Sequence, residues 1–96
     1  MITPAGFIDL DGTLVEQKDG SYIFSVKEVK FKNKRLYPLL SQFQEEGYLL
    51  IIVTNQAGIN KGLVTWDQVR RVNSYIINTL KKHGITITYV YVCRIE

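Results

Sequence analysis

Two short clusters of polar residues in this 96-residue sequence have side chains suited to handling phosphate. The first contains the carboxylates Asp9 and Asp11, followed by Gly12 and Thr13. One carboxylate can attack phosphorus as a nucleophile, while the other protonates the leaving oxygen and then activates water. Carboxylates this close repel each other and a phosphate unless a divalent cation lies between them, and hard oxygen ligands suit Mg²⁺. Asp9 and Asp11 are therefore the candidate catalytic and metal-binding residues.

The second cluster is Thr54-Asn55-Gln56, which offers one hydroxyl group and two side-chain amides. Such groups can bind phosphoryl oxygens as charge shifts in a transition state. Gly58 and Gly62, which follow the second cluster, would let backbone amides approach a phosphate. Lys61 would add a positive charge there. In the first cluster, Gly12 lets the chain turn sharply near the phosphate. The predicted substrate-binding and phosphate-binding residues of both clusters are Gly12, Thr13, Thr54, Asn55, Gln56 and Lys61.

Each cluster also has a structural interpretation. A D-x-D-G segment alone occurs at surface turns and in calcium-binding loops, and a Thr-Asn-Gln segment alone is weaker still. Here, however, an apolar run leads into Asp9, and a second apolar run, one helix later, leads into Thr54. Two such clusters, each at the end of an apolar run, are much harder to obtain by chance than either segment alone. Their combination therefore favours the catalytic interpretation.

The elements around the clusters alternate between strand and helix. Apolar or β-branched runs predict strands at residues 5–10, 48–53 and 85–93, and the Asp-Gly pair at 19–20 predicts the turn of a β-hairpin flap. A helix is predicted at 36–46, with one face formed by Leu36, Leu39, Leu40 and Phe43. A second helix is predicted to begin at a capping box of Thr65 and Gln68, to end at 81–84, and to bury Val69, Val72, Ile76 and Leu80.

This order predicts an α/β fold with a Rossmann-like parallel sheet covered by helices on both faces. Ligands of such sheets bind beyond the carboxyl ends of the strands, where both polar clusters fall. We expect a single domain at residues 1–96, because the chain has room for one modest core.

Composition excludes several classes of protein. No apolar run reaches the roughly 18 residues of a membrane span, and no secretory signal is visible at the N-terminus. The single cysteine, Cys93, cannot form an internal disulfide, which favours an intracellular protein, nuclear or cytoplasmic. The net charge of +3 is mild, although a basic cluster at 27–35 could favour a polyanion such as nucleic acid or could simply be a solvated loop.

The motifs resemble those of the haloacid-dehalogenase superfamily of phosphatases. Residues 7–14, Phe-Ile-Asp-Leu-Asp-Gly-Thr-Leu, are similar to its first motif, and Val-Thr-Asn at 53–55 to its second. The resemblance implies a flap after the first strand, Asp9 as nucleophile, Asp11 as general acid and base, and Thr54 as phosphate ligand. It also implies Mg²⁺ bound by Asp9 and the backbone carbonyl of Asp11.

A narrower resemblance is to the 3′-phosphatase domain of polynucleotide kinase/phosphatases. Its more specific elements are Leu-Tyr-Pro at 36–38 and Thr-Asn-Gln-Ala-Gly-Ile-Asn-Lys-Gly at 54–62. It implies hydrolysis of a 3′-phosphate at a nucleic-acid end, as in DNA repair, and hence a nucleic-acid partner. Lys61 stands where that motif usually carries arginine, so the charge is kept but bidentate recognition of phosphate is not.

Histidinol-phosphate and heptose-bisphosphate phosphatases share the Thr-Asn-Gln-x-Gly-Ile segment, so a small-molecule phosphatase is the alternative. Many of these phosphatases have a zinc loop that opens as Cys-x-His at about the position of Cys93. No histidine follows Cys93 in this sequence, which favours a structural role for its thiol. His83 is interpreted as a helix cap. The haloacid-dehalogenase superfamily completes its site with a lysine and a further acidic pair on later strands, and neither is found in this sequence. Lys81 and Lys82 lie on the predicted second helix and not on a later strand, so they do not replace that lysine. We therefore expect the N-terminal half of a longer domain, completed by a further segment or partner; a non-catalytic nucleic-acid-binding remnant stays open.

Overall fold

In a computed structural model of the chain, the described residues are 4–16, 25–56 and 59–93. Two single-turn 3-10 segments, Val26–Glu28 and Lys34–Leu36, precede the first α-helix. The strands and α-helices alternate as β1 (Ala5–Asp9), α1 (Tyr37–Glu45), β2 (Leu49–Asn55), α2 (Trp66–Lys82) and β3 (Tyr89–Cys93). The predicted α/β class is therefore confirmed.

The three strands form one parallel sheet in the order β1-β2-β3. Phe7 of β1 lies opposite Ile51 of β2, which in turn lies opposite Tyr89 of β3. Parallel strands joined by helices bring all three carboxyl ends to the same edge of the sheet. The two polar clusters therefore lie at neighbouring strand ends, as the sequence predicts.

The expectation that helices cover both faces of the sheet is wrong for the described residues. Because the strand order follows the chain order, right-handed crossovers carry α1 and α2 over the same face. That face carries the core, which includes Leu40 of α1 and Ile52 of β2. On the opposite face the side chains of Phe7, Tyr89 and Tyr91 are exposed.

Helix α1 differs from its prediction in the face that it buries. Leu39 and Phe43 are exposed, and the buried residues are Tyr37 and Leu40. The inward face continues to Gln44, whose Oε1 accepts a hydrogen bond from the Thr86 backbone N–H at 2.8 Å. The observed rotation of α1 thus buries Tyr37 and Leu40 and brings Gln44 into contact with the segment before β3, and apolar spacing alone does not show it.

Helix α2 matches its prediction closely. The Thr65 hydroxyl accepts from the Gln68 N–H at 3.1 Å, and the Gln68 side chain accepts from the Thr65 N–H at 2.8 Å, which completes the capping box. The predicted apolar stripe of α2 is buried in full: Val69, Val72, Ile76 and Leu80. His83 forms the C-terminal cap, and Gly84 follows with a φ of 80°, a conformation that favours glycine.

The strand boundaries shift by a few residues. β2 continues through Thr54 and Asn55, whereas β3 begins only at Tyr89; Ile85 and Ile87 are buried outside any strand. The Asp-Gly turn of the predicted flap lies outside the described residues. The chain on either side of it pairs in antiparallel fashion, since the Glu16 N–H donates to the Lys30 carbonyl at 2.7 Å. In the described part of the chain, no helix combines the length and apolar character needed to cross a membrane.

Candidate active site

The loop after β1 is a compact turn held by backbone hydrogen bonds. The Leu10 N–H donates to the Val53 carbonyl at 3.1 Å, so the pairing with β2 continues one residue past β1. The Leu10 carbonyl accepts from Leu14 at 3.0 Å, and the Gly12 N–H donates to the Val15 carbonyl at 2.9 Å. Gly12 has a φ of 81°, which only glycine adopts without strain. Because Leu14 and Val15 are fully buried, the turn is anchored in the core.

The turn divides its residues between the core and the site. Leu10 is buried, while Asp9 at the end of β1 is exposed and Asp11 is half-buried. The two carboxylates are close enough for the charge of Asp9 to act on Asp11. Leu10 is buried whereas Asp9 and Asp11 are not, in keeping with the predicted arrangement, and the assignment of the two carboxylates to one catalytic site stays a prediction.

Thr54 joins the two polar clusters through its side chain. Its hydroxyl donates a hydrogen bond to Asp11 Oδ2 at 2.8 Å, although the two residues are 43 positions apart. The side-chain amide of Gln56 donates to the same hydroxyl oxygen at 3.1 Å. Since a hydroxyl has a single hydrogen, the Gln56 contact leaves that hydrogen for Asp11. Thr54 is 1% exposed, so this chain of hydrogen bonds lies at the base of the site.

The pKa of Asp11 is raised above its usual value, and burial is the largest cause. The hydrogen bond from Thr54 lowers the pKa, and the neighbouring charge of Asp9 raises it. Desolvation and the like charge therefore outweigh the hydrogen bond. A carboxyl group with a raised pKa is better able to donate a proton near neutral pH.

Asn33 supports the same loop and was not predicted from the sequence. Its side-chain amide donates to the Thr13 carbonyl at 2.8 Å. Its backbone is left-handed, with a φ of 55°, a conformation that asparagine tolerates better than most residues. An asparagine near the end of the basic cluster at 27–35 was the available signal, but contact with a residue 20 positions away could not be read from it.

Three other predicted phosphate ligands, Asn55, Gln56 and Lys61, lie at the end of β2 and in the turn that follows it. Asn55 is exposed and pairs in register with Cys93 of β3. The Gln56 N–H donates to the Cys93 carbonyl at 2.6 Å, which fixes the end of β2 to β3. Lys61 is exposed in the following turn, and residues 57–58 lie outside the described part of the chain. Their roles as phosphate ligands stay predictions.

The donor set for a cation consists of two carboxylates and nearby backbone carbonyls. Among residues 4–16, 25–56 and 59–93, no group of three or more histidine, cysteine or acidic side chains could hold a metal ion. His83 is engaged elsewhere, with its ring 5.1 Å from that of Tyr37. The like-charge repulsion between Asp9 and Asp11 is what a divalent cation would relieve. A hard cation that keeps several waters, such as Mg²⁺, fits this set.

Comparison with known proteins places this geometry in a family. The sequence model of the family described as polynucleotide kinase 3 phosphatase matches residues 5–94. A probable D-glycero-D-manno-heptose-1,7-bisphosphate 7-phosphatase from Thermoplasma volcanium is 37% identical over 87 residues, which cover 91% of this chain and 58% of the relative. The D-glycero-beta-D-manno-heptose-1,7-bisphosphate 7-phosphatase of Pasteurella multocida is 32% identical over 87 residues, covering 91% of this chain and 46% of the relative.

Solved structures agree with the fold. A protein from Mesorhizobium loti whose structure is described as a putative HAD-like phosphatase superposes with a TM-score of 0.86 at 28% identity, over 98% of this chain and 44% of that chain. The D,D-heptose 1,7-bisphosphate phosphatase of B. bronchiseptica, solved with magnesium and phosphate, superposes with a TM-score of 0.82 at 16% identity, over 97% of this chain and 51% of that chain.

The family match and the superposed structures identify this parallel sheet, with its carboxylate pair at the carboxyl edge, as a haloacid-dehalogenase-like phosphatase fold. Within that class, the chain belongs to the family described as polynucleotide kinase 3 phosphatase. The chain spans about half the length of the curated relatives it matches.

Proposed function

We propose that this chain supplies the nucleophile-bearing half of a Mg²⁺-dependent phosphatase that acts on a small sugar phosphate of the heptose-bisphosphate kind. The sequence motifs predict a nucleic-acid 3′ end as the substrate, with a small molecule as the alternative. The curated relatives reverse that order, because those in Thermoplasma volcanium and Pasteurella multocida are described as heptose-bisphosphate phosphatases.

The hydrogen bond from Thr54 to Asp11 is the observation that carries the proposal. It joins the carboxylate pair after β1 to the hydroxyl group near the end of β2, which are the two parts that the mechanism needs in one place. A surface turn or a calcium-binding loop would not require a fully buried threonine from a neighbouring strand. The bond therefore supports a catalytic centre over both structural interpretations.

The chemistry assigned to the residues has two steps. The Asp9 carboxylate attacks phosphorus, the bond from phosphorus to the leaving oxygen breaks, and Asp11 donates its proton to that oxygen. Asp11 then accepts a proton from water, whose oxygen attacks the aspartyl phosphate and releases inorganic phosphate. The raised pKa of Asp11 suits the first proton transfer. Asn55 would hold a phosphoryl oxygen at the end of β2. The Thr54 hydroxyl would do so only by giving up its hydrogen bond to Asp11, because it has a single hydrogen to donate.

The Asp9 carboxylate and the Asp11 backbone carbonyl are the proposed ligands for Mg²⁺. When bound, the ion would neutralise charge on the carboxylates and the phosphate, which otherwise repel each other. The B. bronchiseptica phosphatase was solved with magnesium and phosphate bound. Its support for this assignment is limited to the fold that it shares with this chain.

A nucleic-acid 3′-phosphate is the second candidate substrate. Two observations favour it: the description of the matched family, and the basic segment at 27–35. Within this segment Lys27, Lys30, Lys34 and Arg35 are exposed and could engage backbone phosphates that a sugar phosphate lacks. A role in DNA repair depends on this candidate.

A chimeric enzyme tests both candidates. In the chimera these 96 residues replace the matched 58% of the Thermoplasma volcanium relative, and the intact relative is assayed beside it. Substrates are heptose bisphosphate, histidinol phosphate and a 3′-phosphorylated oligonucleotide, at low and moderate salt. Any difference in preference between the two proteins then comes from the exchanged half.

The proposal expects Mg²⁺-dependent release of phosphate, with heptose bisphosphate preferred by both enzymes. A chimera that gains a salt-sensitive preference for the oligonucleotide would establish the second candidate instead. A folded chimera that binds the oligonucleotide but hydrolyses none of the substrates would indicate the non-catalytic remnant.

A further inference from the structure

The turn after β1 is paired with a segment much further along the chain. Two backbone hydrogen bonds join them in antiparallel fashion: the Glu16 N–H donates to the Lys30 carbonyl at 2.7 Å, and the Lys32 N–H donates to the Leu14 carbonyl at 3.1 Å. The chain that leads towards α1 therefore runs directly beside the turn that carries Asp11.

Asn33 lies opposite Thr13 at the next position of this register. An antiparallel ladder forms backbone hydrogen bonds only at alternate pairs, and this pair follows the bonded pair of Leu14 and Lys32. The ladder therefore provides no backbone bond at this position. The Asn33 side-chain amide supplies one instead, since it donates to the Thr13 carbonyl at 2.8 Å. The side chain thus extends the pairing by one residue, to a carbonyl that the backbone ladder does not reach.

The backbone of Asn33 suits this contact. Its φ of 55° and ψ of 39° are left-handed, a conformation that asparagine tolerates better than most residues. Its carbonyl accepts from the Leu36 N–H at 2.8 Å, within the 3-10 segment that leads directly into α1. On its N-terminal side, Phe31 packs against the core, with its ring 6.1 Å from that of Tyr75 on α2. Asn33 is therefore held between two anchored parts of the chain.

Asp11 and Gly12 lie between two fixed points of the backbone. On one side, Leu10 is buried and its carbonyl accepts three backbone N–H groups at 3.0–3.2 Å. On the other side, the Thr13 carbonyl accepts the bond from Asn33. Glycine has a permissive backbone, so Gly12 does little to fix the turn by itself. The position of the Asp11 backbone therefore depends on where Thr13 is held.

We propose that Asn33 is a positioning residue for the phosphoryl transfer: through its bond to the Thr13 carbonyl, it holds Asp11 where the reaction requires it. Thr54 fixes the carboxylate end of Asp11, and Asn33 fixes the backbone end. A misplacement of about 1 Å can slow a reaction by roughly a hundredfold, even when the altered residue is far from the chemistry. This inference rests on the proposed function.

A purely structural role for Asn33 predicts a different result. If Asn33 served only to turn the chain towards α1, glycine would replace it without loss of turnover, because glycine adopts left-handed backbone freely. If Asn33 positions Asp11, glycine keeps the backbone conformation but loses the required donor. Asn33→Gly therefore separates the two roles. Asn33→Ala lacks the donor as well and adds left-handed strain, so it should lower the unfolding midpoint further.

The first test is kinetic and uses the chimera described above, with heptose bisphosphate at saturating Mg²⁺. Asn33→Gly should lower kcat by about tenfold. KM should stay within about twofold, because the change affects the transition state more than substrate binding. Tyr75→Leu is the matched control, since it removes the ring contact with Phe31 and leaves both ends of the bond between Asn33 and Thr13 intact. It should leave kcat and KM unchanged.

The second test needs no turnover. Amide hydrogen exchange is measured by NMR in the 96-residue chain and in the chimera, with Ile76 in the middle of α2 as the reference for global unfolding. In Asn33→Gly, the Thr13 and Leu14 N–H groups, both hydrogen-bonded within the turn, should exchange about tenfold faster relative to Ile76. In Tyr75→Leu, their exchange relative to Ile76 should not change.

Asn33→Asp takes the place of Asn33→Gly if the glycine variant does not fold. Aspartate keeps the shape of asparagine and its tolerance of left-handed backbone, but an ionised carboxylate has no hydrogen to donate. The same changes in kcat and in exchange are expected for it.

Three results would overturn the inference. Unchanged exchange in the turn of Asn33→Gly would show that the bond does not hold Thr13. Full kcat in Asn33→Gly, or an equal loss of kcat in Tyr75→Leu, would leave Asn33 with a structural role only. An inactive chimera refutes the proposed function, and the exchange measurement then still decides whether Asn33 holds the turn.

Discussion

The hydroxyl of Thr54 donates a 2.8 Å hydrogen bond to the carboxylate of Asp11, and this bond lowers the pKa of Asp11 against the opposing effect of burial. Thr54 is fully buried and fixed in β2, whereas Asp11 lies in the turn after β1. A residue of the second strand thus holds the side chain of Asp11 in the turn after the first strand and partly offsets the effect of burial on its pKa.

Thr54→Val should raise the pKa of Asp11 further. Valine has nearly the shape of threonine but cannot donate the hydrogen bond that favours the charged carboxylate. NMR titration of the Asp11 carboxyl carbon measures the change directly, and Thr54→Ser, which keeps the hydroxyl, is the matched control. A pKa that is the same in all three proteins would mean that the hydrogen bond does not form in solution.

Asp11→Asn should stabilise the 96-residue chain near neutral pH when metal is absent. The folded state holds the Asp11 proton more tightly than the unfolded state, because the folded pKa is raised. That stabilisation of the wild type is complete below the ordinary aspartate pKa and is lost as pH rises through the folded pKa. The free energy of unfolding of Asp11→Asn should therefore exceed that of the wild type at pH values above the folded pKa of Asp11. The difference should vanish at pH values below the ordinary aspartate pKa.

Urea unfolding of both proteins across the acidic range, with a chelator present, measures this difference. Glu16→Gln provides a control, because Glu16 is an exposed carboxylate beside the same loop. A wild type that gains stability relative to Asp11→Asn as pH rises would contradict the predicted direction.

Asp9→Asn should abolish turnover in the chimera while leaving its fold intact. The amide cannot act as the attacking carboxylate, and the side chain is exposed, so little packing changes. Phosphate release and the unfolding midpoint are measured together. Residual activity within about tenfold of wild type, roughly 1.4 kcal/mol of barrier, would remove Asp9 from the nucleophile role.

Mg²⁺ should bind the 96-residue chain only weakly. The described residues bring together two carboxylates and no third acidic, histidine or cysteine ligand, and Mg²⁺ requires a near-octahedral set of well-placed oxygens. Calorimetry of the isolated chain should show no micromolar binding. Tight binding that survives Asp9→Asn would point to a cation site elsewhere in the sequence.

Tyr37→Phe should stabilise the fold by about 1 kcal/mol or slightly more. Among the described residues the buried Tyr37 hydroxyl has no hydrogen-bond partner, and burial also raises its pKa. Phenylalanine keeps the ring against His83 and removes the unsatisfied group. Thermal unfolding measures the gain, and Tyr48→Phe, at a more exposed ring, should change little. A loss of stability in Tyr37→Phe would show that the hydroxyl is hydrogen-bonded in solution.

The sequence by itself determined the features that depend on local pattern. The apolar runs before Asp9 and Thr54 predicted the strands, because a strand buried in a parallel sheet is apolar on both faces. The capping box and the stripe of α2 predicted that helix, since both signals lie within a few residues of each other. The fold class and the edge that carries the candidate site followed from these elements.

Only the tertiary structure decided which groups meet. The bond from Thr54 to Asp11 spans 43 positions and that from Asn33 to Thr13 spans 20, and no local pattern encodes either distance. The rotation of α1 leaves Leu39 and Phe43 exposed and brings Gln44 into a hydrogen bond with Thr86, a contact between residues 42 positions apart. The strand order also had to be observed, because one sequence of crossovers can place helices on one face or on two. That order put both helices on the same face and left Phe7, Tyr89 and Tyr91 in solvent.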